Sequence, residues 1–556
     1  MRLNKPRLYR WSRDKSVIIK ASLAILAAGV VTGFFISSMT FGSSFLASND
    51  KLFLNDGFLR TLGAEGDVDV LAKLVRESDL IKLRFGSPLE EFHQQEFGEG
   101  EGSDSKSGDA DGEEAVDPSM PDQDFEWIGK TIDLSPVSSA EKDLLHLLNQ
   151  GLHGSESDSL AALAALGKQS GATPPVRHAA TFYGDVLREH TRIDEAIAAY
   201  RSEVDQFPTG TYEPDQIVRL RLARDDPEDL ARLLTDDALL RRLSSGMLAH
   251  LASKGRDLSL LVRAVVAHDF EGIDLSLAFL TLFAGTLWAF ILAQFAKFEQ
   301  KRLALFALAT MLGIISASVT LGVVIIQDDW MGFGGRRHGE LLDQMIFWVC
   351  GVGLREELVK LLLFTPLLPF LRQRGPLEAL LAASFVGLGF AVQENLGYFD
   401  MTFSSGTPWA RLLTANFFHL ALTGLLGLAL YDFVKRPRRW EPLLETFLLV
   451  VVAHGFYDLV ISTPVLGYYG GWIHILILAF IATRYFRTLD QLYRIVPGQP
   501  ISPLGVFVVG SSLLLAVMFS FACQGALFAT TLSTFGLSTT GLVVVAFLYI
   551  NEFKHL

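Results

Sequence analysis

Cysteine is nearly missing from this sequence. Two occur in 556 residues, Cys350 and Cys523, both inside apolar runs, so no disulfide framework exists and a small stapled secreted fold is excluded. Charge is also thin: 20% of residues are Asp, Glu, Lys or Arg, against 50% hydrophobic and a mean hydropathy of +0.32. A chain this long exceeds one compact domain, and one this apolar is not an ordinary soluble protein. Positive charge almost vanishes over residues 94–126, where twelve carboxylates face a single lysine, Lys106, and supply −11 of the net charge of −13. The acidity is therefore local and does not point to a basic partner; no nucleic-acid partner is expected. The stretch EGEGSDSKSGDADGEEAVDPSMPDQD has no apolar periodicity and lacks the full twelve-residue ligand pattern of a calcium loop. It cannot bury enough surface to offset ordering and reads as a disordered linker.

What the chain does have is long apolar runs. The first fifteen residues carry six Lys or Arg and precede ASLAILAAGVVTGFFISSM, residues 21–39. The run is long for a cleaved signal and no small-x-small site follows closely, so an uncleaved anchor with a cytoplasmic N-terminus is expected. Nine further spans fall near Leu275–Phe295, Leu303–Ile326, Ile346–Phe370, Leu377–Leu396, Leu412–Val434, Leu443–Ile461, Gly471–Tyr485, Pro503–Cys523 and Thr534–Ile550. The loops KFEQKR, RQRG, VKRPRRW and RYFRTLDQLYR all fall on one side, and basic loops mark the cytoplasm. Both termini are then cytoplasmic and residues 40–272 lie outside. The expected fold is all-α: a polytopic transmembrane bundle of about ten spans with an extracytoplasmic helical domain. The expected boundaries are an anchor region at 1–45, an outer segment at 46–93, the acidic linker at 94–126, the outer helical domain at 127–272, a membrane core at 273–490 and two last spans at 491–556.

From about Leu144 to Asp269 the outer part reads as successive amphipathic helices. Within HAATFYGDVLREHTRIDEAIAAYRSEVDQFP, residues Gly184, Leu187, Ala196, Tyr200 and Pro208 fall where a tetratricopeptide repeat places Gly, a large apolar residue, Ala, an aromatic and Pro. A generic helical hairpin accounts for one such match equally well, since a solenoid needs about three repeats. Either way an interaction module for a protein partner is expected.

The chemistry lies elsewhere. GVGLREELVKLLLF, residues 351–364, sets Arg355, Glu356, Glu357 and Lys360 in a run that otherwise reads as mid-membrane helix. Four charges facing lipid would oppose insertion by about 10 kcal/mol. They must face protein or water. Glu356 and Lys360, four residues apart, can pair. Buried ion pairs seldom offset their own desolvation, so the quartet is a functional candidate. The next spans add FAVQENLGY, with Gln393, Glu394, Asn395 and Tyr398; NFFHLALTG, with His419; and HGFYD, with His454 and Asp458 on one helical face. A lone intramembrane His is usually an interhelical hydrogen bond. Four consecutive spans bearing Glu or His at similar depth suit hydrolysis by water: a carboxylate to take a proton, His or carboxylate to bind a metal or stabilise the oxyanion, and Asp458 to orient His454. No intramembrane Ser is paired by motif with these histidines. Cys350, about two turns before Glu357, is a candidate nucleophile, though a thiol in an apolar run is more often packing.

Together, EELVK, FAVQE, His419 and HGFYD resemble the signature of the PrsW family of intramembrane proteases. That family is distantly similar to the CAAX prenyl endopeptidases and the bacterial Abi proteins, whose pattern is EExxxR, FxxxH and HxxxN. The resemblance covers about residues 275–490. It implies a multi-pass endopeptidase of the bacterial inner membrane that cuts membrane-anchored substrates, with site-1 cleavage of an anti-sigma factor as the family's best-known role. Carried over by position, Glu356, Glu357, Glu394, His419 and His454 are the catalytic set, with Glu356 or Glu357 as general base. Lys360, Asn395 and Asp458 support them. Glu394, His419 and His454 are the candidate ligands of zinc. A mechanism without metal, as in the prenyl endopeptidases, stays open. The outer domain and last two spans have no counterpart in the core pattern, which leaves substrate choice open. Two other readings stand beside this one: a non-catalytic membrane scaffold or sensor, and a proton-coupled transporter, against which no internal inverted repeat is evident.

Overall fold

The computed structural model describes residues 10–41, 68–76, 125–208, 210–271, 275–295, 300–401, 407–437, 439–462, 467–493, 501–525, 528–529, 531–533 and 546–552. Among them there is helix and no strand. The chain forms two compact units, Ser38–Gly255 and a second that joins Met1–Ser37 to Arg256–Leu556. Helix α1 (Lys15–Phe41) opens the chain.

The Ser38–Gly255 unit holds α2 (Val68–Arg76), α3 (Phe125–Leu134), α4 (Ser139–His153), α5 (Glu156–Ser170), α6 (Ala179–Glu189), α7 (Ile193–Gln206), α8 (Tyr212–Leu222), α9 (Pro227–Thr235), α10 (Asp237–Leu240) and α11 (Ser245–Gly255). From α4 to α9 each helix packs on its chain neighbour. Local chemistry sets the breaks: Ser138 and Glu141 close a capping box at the start of α4, and Asp226 caps α9 with Pro227 in its first turn. Helices α6 and α7 form the hairpin expected around residue 190. A Cβ on Gly184 would lie 2.8 Å from the Tyr200 ring, so glycine is what lets the two helices close, with Leu187, Ala196 and Tyr200 fully buried. The expected acidic linker falls almost wholly outside the described residues.

The other unit continues with α12 (Leu258–His268), α13 (Leu275–Phe295), α14 (Gln300–Ile325), α15 (Leu341–Ile346), α16 (Leu354–Phe364), α17 (Leu368–Leu371), α18 (Pro376–Met401), α19 (Thr407–Lys435), α20 (Glu441–Ser462), α21 (Gly467–Leu492) and α22 (Pro503–Gly525). Among the described residues, eight helices are long and apolar enough to cross a membrane: Lys15–Met39, Ala278–Phe295, Lys301–Trp330, Pro376–Gly397, Arg411–Lys435, Glu441–Val460, Trp472–Leu492 and Pro503–Cys523. The protein is thus an all-α polytopic bundle. The stretch expected as a span at 346–370 is not one of the eight. It is helical but broken: α15 runs into a π turn, Phe347–Gly353, then α16, a 3-10 turn at Thr365–Leu367, and α17. Its charges set it apart from the apolar spans. Most of the expected last span, 534–550, lies outside the described residues.

The centre of the bundle is α18, fully buried over much of its length between α14 and α19. Phe306 stacks on Phe385, and Ser384 Oγ lies 2.9 Å from Tyr485 Oη on α21. One end of the bundle collects charge: Arg302 pairs with Glu378 at 3.0 Å, Tyr431 donates to the Arg374 carbonyl, and Lys435 to that of Arg372. Helix α1 packs on α22, where a Cβ on Gly29 would lie 2.6 Å from the Ala516 Cβ.

Candidate active site

Two close approaches bring the polar residues together. A Cβ on Gly353, just before α16, would sit 2.5 Å from the Val451 carbonyl, and one on Gly455 would meet the Val349 Cα at 2.4 Å. Only glycine permits this contact between the π turn and α20. It carries Glu356 and Glu357, in the first turn of α16, against His454, the neighbour of Gly455. On the other side, a Cβ on Gly387 would lie 2.3 Å from the carbonyl of His419, which seats α19 on α18. A π turn directly before catalytic-type residues is a common way to re-aim side chains.

Lys360 is the hub. Its Nζ, with no exposed surface, donates to Glu357 Oε1 at 2.9 Å, Glu356 Oε2 at 3.2 Å and His419 Nδ1 at 2.9 Å. The ammonium also lies 3.7 Å above the Phe390 ring. His454 Nδ1 is 2.8 Å from Glu357 Oε1, and its Nε2 faces Glu356 Oε2 at 3.5 Å and Asp458 Oδ2 at 3.4 Å. His419 Nε2 lies 2.9 Å from Glu394 Oε2, which is 3.1 Å from Arg411 Nη2. The two imidazole centroids are 5.0 Å apart.

These contacts assign the tautomers. A carboxylate can only accept, so His454 carries a proton on Nδ1, toward Glu357, and turns Nε2 toward Glu356 and Asp458. An ammonium can only donate, so His419 accepts at Nδ1 and turns its Nε2 proton toward Glu394. Exposure then separates a back layer from a front one. The side chains of Glu357 and Lys360 have no exposed surface, whereas Glu356 keeps 10%, Glu394 18% and Asp458 19%. Glu357 is further held by Thr423, whose Oγ1 donates at 3.5 Å. The front therefore offers three carboxylates, Glu356 and Asp458 facing His454 Nε2 and Glu394 facing His419 Nε2.

Glu356, His419 and His454 each bring one ligand atom within 4.8 Å of the others. Two imidazoles and a carboxylate are a donor set that hydrolytic zinc accepts, and His419 fits it once its Nε2 proton passes to Glu394. Glu394 reaches this trio through His419 Nε2.

Glu356, Glu357, Lys360, Glu394, His419, His454 and Asp458 all lie in this cluster, whereas other residues singled out in the sequence do not. Arg355 turns away from Glu357 and pairs instead with Asp328 at 3.0 Å, in the π turn Ile326–Trp330. Asn395 is fully buried one shell out, donating to Asn416 Oδ1 at 3.1 Å and accepting from Arg411 Nε at 3.3 Å. Gln393 points to Asp269. Cys350 is exposed in the π turn. The side chain of Tyr398 lies outside the described residues. Sequence reasoning missed Arg411, Thr423, Asn416 and Phe390. Arg411 was detectable as a lone charge at the head of an apolar run; the others carry no charge to mark them.

The fold and this cluster define a class: a multi-pass helical membrane protein with a buried Glu/His/Lys centre of hydrolytic type. The model of one family, the PrsW family intramembrane metalloprotease, matches residues 300–484, from the start of α14 into α21. The matched segment contains every member of the cluster. No curated protein and no solved structure matches the chain.

Proposed function

We propose that this protein hydrolyses peptide bonds of membrane-anchored proteins within the bilayer, with the front layer of the cluster as the reacting face. The observation that carries the reading is the double role of His454: Nδ1 is fixed by buried Glu357, and Nε2 is thereby free beside Glu356 and Asp458. Glu356, the accessible member of the glutamate pair, takes a proton from the attacking water. His454, held from behind by Glu357, stabilises the charge that develops on the carbonyl oxygen when its Nε2 carries a proton, and His419 links Lys360 to Glu394 beside it. Lys360 bonds both glutamates and holds them side by side. Arg411 holds Glu394 at the front edge. In a metal form Glu356, His419 and His454 would instead hold a zinc ion, which would supply Lewis-acid polarisation of the water and carbonyl.

The basic end formed by Arg302, Arg372, Arg374 and Lys435 faces the cytoplasm in this reading, which puts both termini inside a bacterial inner membrane and residues 40–272 outside. The Ser38–Gly255 unit, with its tetratricopeptide-like hairpin, recruits a protein partner or substrate. A single-span anti-sigma factor cut at its outer side is the substrate that the family resemblance suggests. The test is elemental analysis of purified wild type and His454→Ala, paired with cleavage of a single-span reporter in liposomes. Near-stoichiometric zinc, lost with cleavage in the variant, supports the metal form. Cleavage with no metal assigns the chemistry to Glu356 and water. Full cleavage by His454→Ala refutes the site.

A further inference from the structure

Helix α12 is the first element of the membrane unit and is apolar on two sides. Asp257 starts it, accepting from Ser259 N at 2.8 Å and Leu260 N at 3.0 Å. Leu260, Leu261, Ala264 and Val265 are buried, and the helix packs on α14. On the other side Leu258, Val262, Val266 and Phe270 are 59%, 62%, 53% and 78% exposed. Their spacing of four aligns them in one row along the helix. Immersed in water, such a row would leave four large side chains unburied; a partner is needed.

Its height in the bundle identifies that partner. Asp269, just past α12, accepts from Ser318 Oγ on α14 at 2.6 Å and from Gln393 Nε2 on α18 at 3.0 Å. Arg302 and Glu378 mark the charged end of those same helices. From there Ser318 and Gln393 stand sixteen and fifteen residues along, or about 24 and 22 Å of helix. A hydrocarbon core is about 30 Å thick, so both anchors lie just inside its far boundary. That is the depth at which an interfacial helix buries its apolar face. Helix α14, on which α12 packs, itself exposes Met311, Ile315 and Val319 on a membrane-crossing helix.

We propose that α12 lies in the lipid–water interface at the end of the bundle remote from Arg302 and Glu378, with Leu258, Val262, Val266 and Phe270 in the acyl region, and that Asp269 clamps it to α14 and α18. The clamp ends on Gln393, so the lipid-seated helix is fastened one residue from Glu394. The inference rests on the reading of residues 300–484 as a membrane core, not on proteolysis.

Spin labels decide it. In a chain with both cysteines replaced by alanine, Val262→Cys and Val266→Cys are labelled in liposomes, with Ile315→Cys as lipid reference and Leu160→Cys as water reference. Collision with oxygen and with a water-soluble nickel complex is then read from the spectra. Labels at 262 and 266 are expected to match the lipid reference, with nickel collision about tenfold below the water reference. Asp269→Ala should raise label mobility at 266, and Asp269→Asn, which still accepts, should keep it low. Nickel access at both positions would overturn the proposal, and shielding from both reagents would overturn it in favour of a protein cover. If the lipid reference itself proved nickel-accessible, the membrane reading would fail instead. None of these readouts requires cleavage.

Discussion

The molecule buries two ionic networks, one in each unit. In the Ser38–Gly255 unit Asp185 has no exposed surface and accepts from Arg76 Nε at 2.7 Å, Tyr200 Oη at 2.8 Å and Tyr212 Oη at 2.6 Å. The Arg76 guanidinium lies 3.8 Å from the Tyr212 ring centroid. Burial, with the Asp185 carboxylate behind it, pushes both phenols well above their ordinary range, so they remain proton donors. The set closes on itself: one acid, one base and two hydroxyls. In the membrane unit the count does not close. Around a single ammonium, Lys360, stand two glutamates and two imidazoles, with Glu394 and Asp458 partly exposed beyond them. A closed network is what structure requires; unspent acceptors at an accessible face are what chemistry requires. The difference separates a fastening from a site more sharply than burial does, since both are buried.

That contrast can be broken by substitution, beginning with the largest effect. Glu356→Gln should lower reporter cleavage by about a thousandfold with little change in thermal unfolding, because the front carboxylate does chemistry and holds little together. Lys360→Met should abolish cleavage and also destabilise the membrane unit by about 3 kcal/mol or more, since Glu357 is left buried without its cation. Thermal unfolding in detergent reads both parts, and a stable, active Lys360→Met would mean the hub is dispensable. Arg76→Ala should destabilise the Ser38–Gly255 unit by a similar amount, about 3 kcal/mol, yet leave cleavage of a short single-span reporter near wild type. Gly387→Val pushes α19 off α18 at the His419 carbonyl and should cost about 1–3 kcal/mol, with some loss of activity. Smallest is Tyr200→Phe, which removes one of the three donors to Asp185 and should cost about 1 kcal/mol in the Ser38–Gly255 unit, measured by denaturant unfolding.

Much of the membrane site was legible because charge in an apolar run is conspicuous. Glu356, Glu357, Lys360, Glu394, His419, His454 and Asp458 stand out one by one, and helical spacing relates Glu356 to Lys360 and His454 to Asp458. What spacing cannot supply is the contact between helices. That Lys360 reaches His419, fifty-nine residues away, and that Glu357 faces backward while Glu356 faces forward depend on glycine contacts at Gly353, Gly387 and Gly455. Arg355 illustrates the same limit: adjacent in sequence to the glutamates, it leaves on the opposite face of the helix for Asp328. The π turn at Phe347–Gly353 has no strong sequence mark, and it divides a stretch that hydropathy alone treats as one span. In the Ser38–Gly255 unit the hairpin around Gly184 and Tyr200 was readable from its small and aromatic pattern. Asp185 was not, because an acid on an amphipathic helix is ordinarily a solvated one.

The central claim is that the accessible glutamate of the pair, backed by a histidine fixed from behind, hydrolyses a peptide bond inside the membrane. The most direct measurement is single-turnover cleavage of a single-span reporter in liposomes by wild type and Glu356→Gln, with the product termini read by mass spectrometry. The account predicts one cut within or at the edge of the reporter's span by the wild type and none by the folded variant. Equal cleavage by the two proteins at the same bond would contradict it.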